Sequence, residues 1–341
     1  MHVLELAKGV FMANIRDVAK RANLSVSTVS KAYNNYSEIS AATKERIFLA
    51  AQELGYFPSK AARELSRGDV HSVGLIVKEL TTHTTQDEHT FRLLGGVHSR
   101  VSETGRDLVL YTTDQIKRMN LSYVEFCRHH SLMGAVVHGL DMDDPYLAAL
   151  LSSPIPCVLI DIEAEGPNTA FIATDNERAA AEVVDRLCAK TQGRICHILG
   201  GETADVTKHR KRGVEQAAQK NNREVLFITG DFQEHVAYES MKAALRDCAD
   251  ITAVFAASDL MALGALRALY ESGRMPGQDV LLVGFDGLKV LEYTQPPIAT
   301  VFQDFHAMGQ LAVDTLLKIA GNERFSAKNY VPHSIISRQT L

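Results

Sequence analysis

Two hydrophobic periods divide the chain. Between residues 15 and 54 apolar positions recur at helical spacing: Ile15, Val18, Ala19 and Ala22 fall at i, i+3, i+4, i+7, and Ile47, Ala50, Ala51 and Leu54 repeat the stripe. Asn23-Leu24-Ser25 forms a tight turn between them, with Ser25 suited to cap a helix that begins at Val26. Three short helices are predicted. After Gly55, residues 58–66 have room for one or two helical turns, and Arg67-Gly68-Asp69 ends them. So short a helix is unstable alone.

From Ser72 the period changes to short β-branched runs at 72–77, 107–112, 134–139, 156–161, 194–200, 224–230, 253–258 and 279–286. Helical stretches separate most of them, clearest at 176–190, 208–221, 234–248, 259–272 and 305–320. This alternation predicts parallel sheets with helices on both faces. Two groups of about four strands, divided near residue 162, predict two similar lobes with a ligand cleft at the carboxyl ends of the strands. The expected fold class is a small all-α helix-turn-helix headpiece joined to an α/β two-lobed core.

Composition agrees. A chain of 341 residues suits two lobes and a small appendage. At 46% hydrophobic and 23% charged, without an apolar run of about 18 residues, it reads as soluble and globular, neither membrane-spanning nor disordered. The opening MHVLELAKGVFM carries Glu5 and Lys8 inside its apolar run and has no small-residue cleavage site, so a cytoplasmic location is expected. Cys127, Cys157, Cys188, Cys196 and Cys248 are irregularly spaced and read as buried thiols. The net charge of −5 hides a division: residues 13–68 carry nine Lys/Arg against five Asp/Glu, whereas 69–341 carry 26 against 35. The N-terminal piece is the one that meets a polyanion.

A helix, a three-residue turn and a second helix within twenty residues is the helix-turn-helix pattern, whose second helix enters the major groove. There Val29 and Ala32 can face the first helix, while Ser27, Ser30, Lys31 and Asn34 share the opposite face. An ordinary solvated helix of a three-helix bundle has the same periodicity. The residues themselves decide more. The run from Ala13 to Lys31, ANIRDVAKRANLSVSTVSK, strongly resembles the headpiece of the lactose/galactose-repressor (LacI/GalR) family of bacterial transcription regulators. Beyond it, Gly55-Tyr56-Phe57-Pro58-Ser59 and Ala61-Ala62-Arg63-Glu64-Leu65 resemble the family's hinge helix, and Ser72-Val73-Gly74-Leu75-Ile76 its first core strand. The stretch 256–265, Val283-Gly284-Phe285-Asp286 and Gln303-Asp304-Phe305 match late-core signatures, so the resemblance covers nearly the whole chain.

The resemblance implies a division into a disordered extension at 1–12, a headpiece at 13–57 and a hinge and linker at 58–69. It implies a first lobe of 70–162 plus 302–322 and a second of 163–301 plus 323–341. It implies that Val26, Ser27 and Lys31 read bases, through a thymine methyl, a hydroxyl contact and guanine O6/N7 respectively. Many relatives have Arg where this chain has Lys31, and Lys lacks the bidentate fork. Arg16, Thr28 and Asn34 are implied for phosphates. In the hinge, Ala62 and Leu65 are implied for DNA, Leu65 as a wedge in the minor groove.

For an effector the resemblance implies Arg210 as a donor to ligand hydroxyls and Phe232 as an aromatic against a sugar ring. Asp161 and Asp286, at strand ends, can accept from hydroxyls or amines, and Asp175 and Gln303 are further candidates. Each carboxylate can instead cap a helix, and Phe232 can be a core residue. Ser258 stands where sugar-binding relatives commonly have Asn. The expected protein is a regulator, a repressor above all, that acts as a homodimer on pseudo-palindromic operator DNA. Its expected effector is a sugar or sugar derivative, with nucleobases as an alternative and a corepressor sign equally permitted. No cofactor, metal or membrane is implied: Cys127-Arg128-His129-His130 lacks a second ligand cluster, and no GxSxG, P-loop or HExxH occurs. A periplasmic-type sugar-binding protein would share the lobes without the headpiece, and an enzyme on this scaffold would need a catalytic motif.

Overall fold

The computed structural model describes residues 13–33, 36–56, 72–78 and 88–341. They fall into two units, within 1–70 and within 71–341.

In the first unit, α1 (Ile15–Arg21), α2 (Val26–Tyr33) and α3 (Ala41–Glu53) enclose a small core of Val18, Ala19, Val29, Ala32, Ile47, Ala50 and Ala51. Side chains fix each start. Asn14 Oδ1 accepts from the Arg16 and Asp17 amides while Asp17 Oδ2 accepts from the Asn14 amide at 2.9 Å, a reciprocal capping box. Ser25 Oγ accepts from the Thr28 amide at 3.1 Å, and Ser40 Oγ from the Thr43 amide at 3.3 Å. Asn23 takes a left-handed φ of 51° in the turn, where Asn is tolerated.

In the second unit the strands are β1 (Ser72–Val77), β2 (Asp107–Thr112), β3 (Leu132–His138), β4 (Cys157–Ile160), β5 (Thr169–Thr174), β6 (Arg194–Leu199), β7 (Val225–Thr229), β8 (Ile251–Ala256), β9 (Leu281–Asp286), β10 (Ala299–Phe302), β11 (Lys328–Val331) and β12 (Ser334–Ile336). The helices are α4 (Glu88–Glu103), α5 (Thr113–Met119), α6 (Tyr123–His129), α7 (Pro145–Leu151), α8 (Asn176–Lys190), α9 (Asp205–Lys220), α10 (Glu234–Asp247), α11 (Asp259–Glu271) and α12 (Phe305–Ala320). Two sheets form, in the orders β11-β5-β4-β3-β1-β2 and β12-β10-β9-β8-β6-β7. The first is parallel throughout, and the second is parallel except for β12 against β10.

Each sheet is packed on both faces. The first lies between a layer containing α4 and α12 and one containing α5, α6 and α7. The second lies between α10 with α11 and α8 with α9. Strands such as β4 and β5, buried at every position, therefore read as continuous apolar or small-residue runs. Helix pairs approach closely through glycine: a Cβ at Gly213 of α9 would overlap the Glu177 carbonyl oxygen of α8, and one at Gly96 of α4 would overlap that of His306 in α12.

The expected lobe division requires correction. β5 pairs with β4 and β11 pairs with β5, so both strands, placed by sequence in the second lobe, belong to the first lobe's sheet. The division falls at 174–176, not 162, and the chain crosses again at 302–305 and 331–334. Thr169–Thr174 and Lys328–Val331 extend the first sheet's edge beyond β4, and that pairing satisfies backbone groups which no sequence period specifies. Cys127, Cys157 and Cys196 are buried, and Cys188 and Cys248 are partly buried. Among the described residues no helix is long and apolar enough to cross a membrane.

Candidate nucleic-acid face and effector cleft

The outward face of α2 carries the side chains singled out from sequence. Val29 and Ala32 are fully buried, while Ser27, Lys31 and Val26, 42% exposed, face solvent. Ser25 Oγ lies 2.7 Å from both Ser27 Oγ and Thr28 Oγ1, so these hydroxyls share in the cap while Ser27 stays exposed. Lys31 Nζ is 2.7 Å from Glu38, which raises the lysine's pKa and lowers the carboxylate's through a hydrogen bond. Arg16 is exposed on the first turn of α1. Asn34, Ala62 and Leu65, the extension 1–12 and the hinge at 58–67 lie outside the described residues.

The second unit gathers the other set. Asp161 follows β4, Asp286 ends β9, Gln303 follows β10, and Ser258 stands after β8: all at carboxyl ends of strands, where the two sheets' lobes meet. The lobes touch there. Thr203 Oγ1 donates to Asp141 Oδ1 at 3.1 Å, the Glu163 amide donates to Asp205 Oδ2 at 2.8 Å, and Arg92 Nη2 donates to the Gly287 carbonyl at 2.9 Å.

Arg210 is 3% exposed, which for a guanidinium demands partners. Its Nε donates to Asn176 Oδ1 at 2.8 Å, its Nη1 donates to the Ala257 carbonyl, and its Cζ lies over the Phe285 ring, 3.7 Å from the centroid. Burial lowers its pKa, opposed by Asp286, Asp161 and Asp259. Burial pushes the Asp161 carboxyl up to about 7; Arg210 opposes that and Asp286 adds to it. Burial also raises Asp286, against the pull of Arg210 and His89, while its Oδ1 accepts from Gln303 Nε2 at 2.9 Å. Asp259, raised by burial and by Asp286, accepts from the Thr300 hydroxyl at 2.6 Å and the Leu288 amide at 2.6 Å.

Two candidates have structural duties. Asp175 caps α8 by accepting from the Arg178 amide at 3.0 Å, and Ser258 caps α11 by accepting from the Met261 amide at 3.3 Å. Phe232, with φ 56°, lies against Gly200, where any Cβ would overlap its ring, and packs on the second lobe's core. His138, not singled out from sequence, clusters with His89 and Phe305, ring centroids 5.4–6.2 Å apart, on the first lobe's side. His138 ends β3, the one signal available, because a histidine closing an apolar strand marks the cleft end of a sheet. Burial, then His89 and Lys78, push its pKa down to about 3. Among the described residues no group of three or more His, Cys, Asp or Glu is placed to hold a metal ion.

A helix-turn-helix unit with a polar outward face, followed by two parallel-sheet lobes with a buried charged cleft, defines a ligand-responsive DNA-binding regulator. Comparisons specify it. The family model for bacterial regulatory proteins of the lacI family matches residues 14–59, and that for a periplasmic binding protein-like domain matches 184–341. The HTH-type transcriptional regulator CelR of Thermobifida fusca is 32% identical over 299 residues, 86% of this chain and 87% of the relative. Two solved structures align over 96% of this chain and 99% of theirs: a Lac repressor dimer bound to operator and the anti-inducer ONPF, 26% identical with TM-score 0.84, and a CelR–cellobiose complex, 27% identical with TM-score 0.72. The chain belongs to the lacI family of bacterial regulatory proteins and is a DNA-binding transcriptional regulator.

Proposed function

We propose that this protein is a cytoplasmic, non-catalytic repressor that binds a pseudo-palindromic operator as a homodimer and is controlled by a small polar effector of the carbohydrate class in its cleft. The observation that carries the reading is the burial of Arg210, held by Asn176, the Ala257 carbonyl and the Phe285 ring, beside the strand ends that carry Asp161, Asp286 and Gln303. Such a cluster suits a polar ligand that orders it, and relatives with this fold include a CelR–cellobiose complex. In the headpiece, Val26, Ser27 and Lys31 read base edges and Arg16, Thr28 and Asn34 hold phosphates. Ala62 and Leu65 contact the DNA, Leu65 as the wedge in the minor groove. In the cleft Arg210, Asp161, Asp286 and Gln303 take the effector's hydroxyls, Phe232 its apolar face, and Asp175 and Ser258 position the helices around it.

Control is a linkage: if the effector prefers one lobe arrangement and the operator another, each weakens the other's binding by the same factor. The test is operator binding by the full-length chain against salt, with and without a panel of sugars and nucleobases. Affinity falling by about 10³ or more between 50 and 200 mM salt, and changing with a sugar, is the expected result. A flat salt dependence removes the DNA reading, and a response to nucleobases alone replaces the carbohydrate.

A further inference from the structure

The three hydroxyls at the start of α2 are bound by a proton count. Ser25 Oγ accepts from the Thr28 amide at 3.1 Å and lies 2.7 Å from both Ser27 Oγ and Thr28 Oγ1, the usual length of an O–H···O bond. A serine hydroxyl has one hydrogen and two lone pairs. With one lone pair given to the amide, Ser25 can neither donate to both neighbours nor accept from both, so it donates to one and accepts from the other. Two relays meet this count. In the first, Ser27 donates to Ser25 and Ser25 donates to Thr28; in the second, both directions are reversed.

DNA chooses between them, a step that rests on the reading above in which Ser27 meets a base and Thr28 a phosphate. Phosphate oxygens carry no hydrogen, so Thr28 must supply its own, and it is free to do so only in the first relay. The second would set the Thr28 lone pairs against an anion. In the first relay the hydrogen of Ser27 is spent on Ser25, and Ser27, exposed on the outward face of α2, has only lone pairs to turn to the groove. Hydrogens are offered there by adenine N6 and cytosine N4, whereas guanine O6 and N7 and thymine O4 only accept.

We infer that Ser27 reads an exocyclic amino group, adenine N6 or cytosine N4, purely as an acceptor, and that Ser25 sets this polarity through the direction of its own hydroxyl. Ser25 is thus a positioning residue for base readout as well as a helix cap.

The test is anisotropy titration of the full-length protein on duplexes selected from a random pool by the wild type. The pair that Ser27 contacts is the one at which Ser27→Ala relaxes base preference. Deleting the amino group there, with purine for adenine or 2-pyrimidinone for cytosine, is expected to weaken wild-type binding about three- to tenfold and to leave Ser27→Ala unaffected. Exchanging amino for carbonyl, with guanine for adenine or thymine for cytosine, should cost the wild type about tenfold or more, because lone pairs then face each other. Ser25→Gly removes the hydroxyl at little cost to the cap and frees the Ser27 hydrogen, so that the exchange should cost it no more than about threefold. Ser25→Thr, which keeps a hydroxyl, should restore the full penalty. Helix loss alone would weaken both duplexes alike and leave their ratio unchanged. A Ser25→Gly protein that keeps the wild-type ratio overturns the inference, as does wild-type binding that tolerates loss of the amino group. A carbonyl base preferred at a pair that Ser27→Ala still relaxes sinks this inference and keeps Ser27 as a base reader. If Ser27→Ala relaxes no pair, the assignment of Ser27 to a base falls, and this inference with it.

Discussion

Lys31 Nζ lies 2.7 Å from the carboxylate of Glu38, seven residues on, so the cation assigned to base readout is tethered within its own unit. A base edge must displace that carboxylate. Glu38→Gln is therefore expected to raise DNA affinity several-fold on every sequence, by removing both a competitor and a repelled charge. Lys31→Ala should change sequence preference, whereas Arg16→Ala weakens all duplexes alike and lowers the salt slope by about one. Fluorescence anisotropy on operator and scrambled duplexes checks all three, and equal losses for Lys31→Ala and Arg16→Ala on every sequence would erase the distinction.

Leu65→Ala is expected to weaken specific operator binding far more than non-specific binding. A minor-groove wedge matters only where the central base step is kinked, at an unstacking cost of a few kcal/mol. Non-specific binding rests on phosphates, which this substitution leaves alone. Energy transfer between dyes at the two ends of an operator duplex follows the bend; parental bending with unchanged affinity means Leu65 is no wedge.

Arg210→Ala removes the charge that opposes the upward pKa shift of Asp161 and Asp286 and leaves Asn176 Oδ1 and the Ala257 carbonyl without their donor. Leaving buried acceptors without their donor costs about 1–3 kcal/mol each. The expected variant has a lowered Tm and effector-independent operator binding. Arg210→Lys, which keeps the charge but loses the planar fork, should recover stability more than response. Calorimetric melting and operator titration with the effector measure both, and a parental response in Arg210→Ala places the effector elsewhere.

Acidity gives a separate signature. An unfolded Asp releases its proton near about 4, whereas native Asp161 holds it up to about 7. The native state thus binds more protons between these values, and this contribution to stability is complete below about 4 and lost as pH rises through about 7. His138 and His197, lowered by burial to about 3 and about 4, act in the opposite direction below about 6.5. The Tm difference between wild type and Asp161→Asn isolates the carboxyl: the variant should gain relative stability as pH rises from 4 to 8. A difference independent of pH would show that Asp161 is ionised throughout.

Gly213→Ala should destabilise the second unit by about 1–3 kcal/mol, since the new methyl meets the Glu177 carbonyl and Ala180 across the α8–α9 contact. Arg210 and Asn176 sit on these two helices, so effector affinity should fall as well. Thermal melting with effector titration separates the effects, and a neutral substitution would mean that the helices separate freely.

Sequence alone settled what is local or periodic. The i, i+3, i+4 stripes of α1 and α3, the Ser25 cap, the outward position of Ser27 and Lys31, and most of the parallel strands follow from side-chain spacing. The apolar run ending in Asp286 announced that residue's place at the end of β9, whereas Arg210, inside α9, was singled out by resemblance alone. Tertiary structure decided what depends on partners far along the chain. β5 and β11 join the first sheet because their backbone groups pair there, and Thr169–Thr174, buried at every position, has no polar–apolar alternation to announce it. Asp175 became a cap through the Arg178 amide, while Asp161 was left with an open acceptor beside Arg210 and Asp286. All are aspartates near the ends of strands, so residue type could not separate them. Burial and the nearest donor did, because a carboxylate's role is set by the charges and hydrogens that the fold brings within reach.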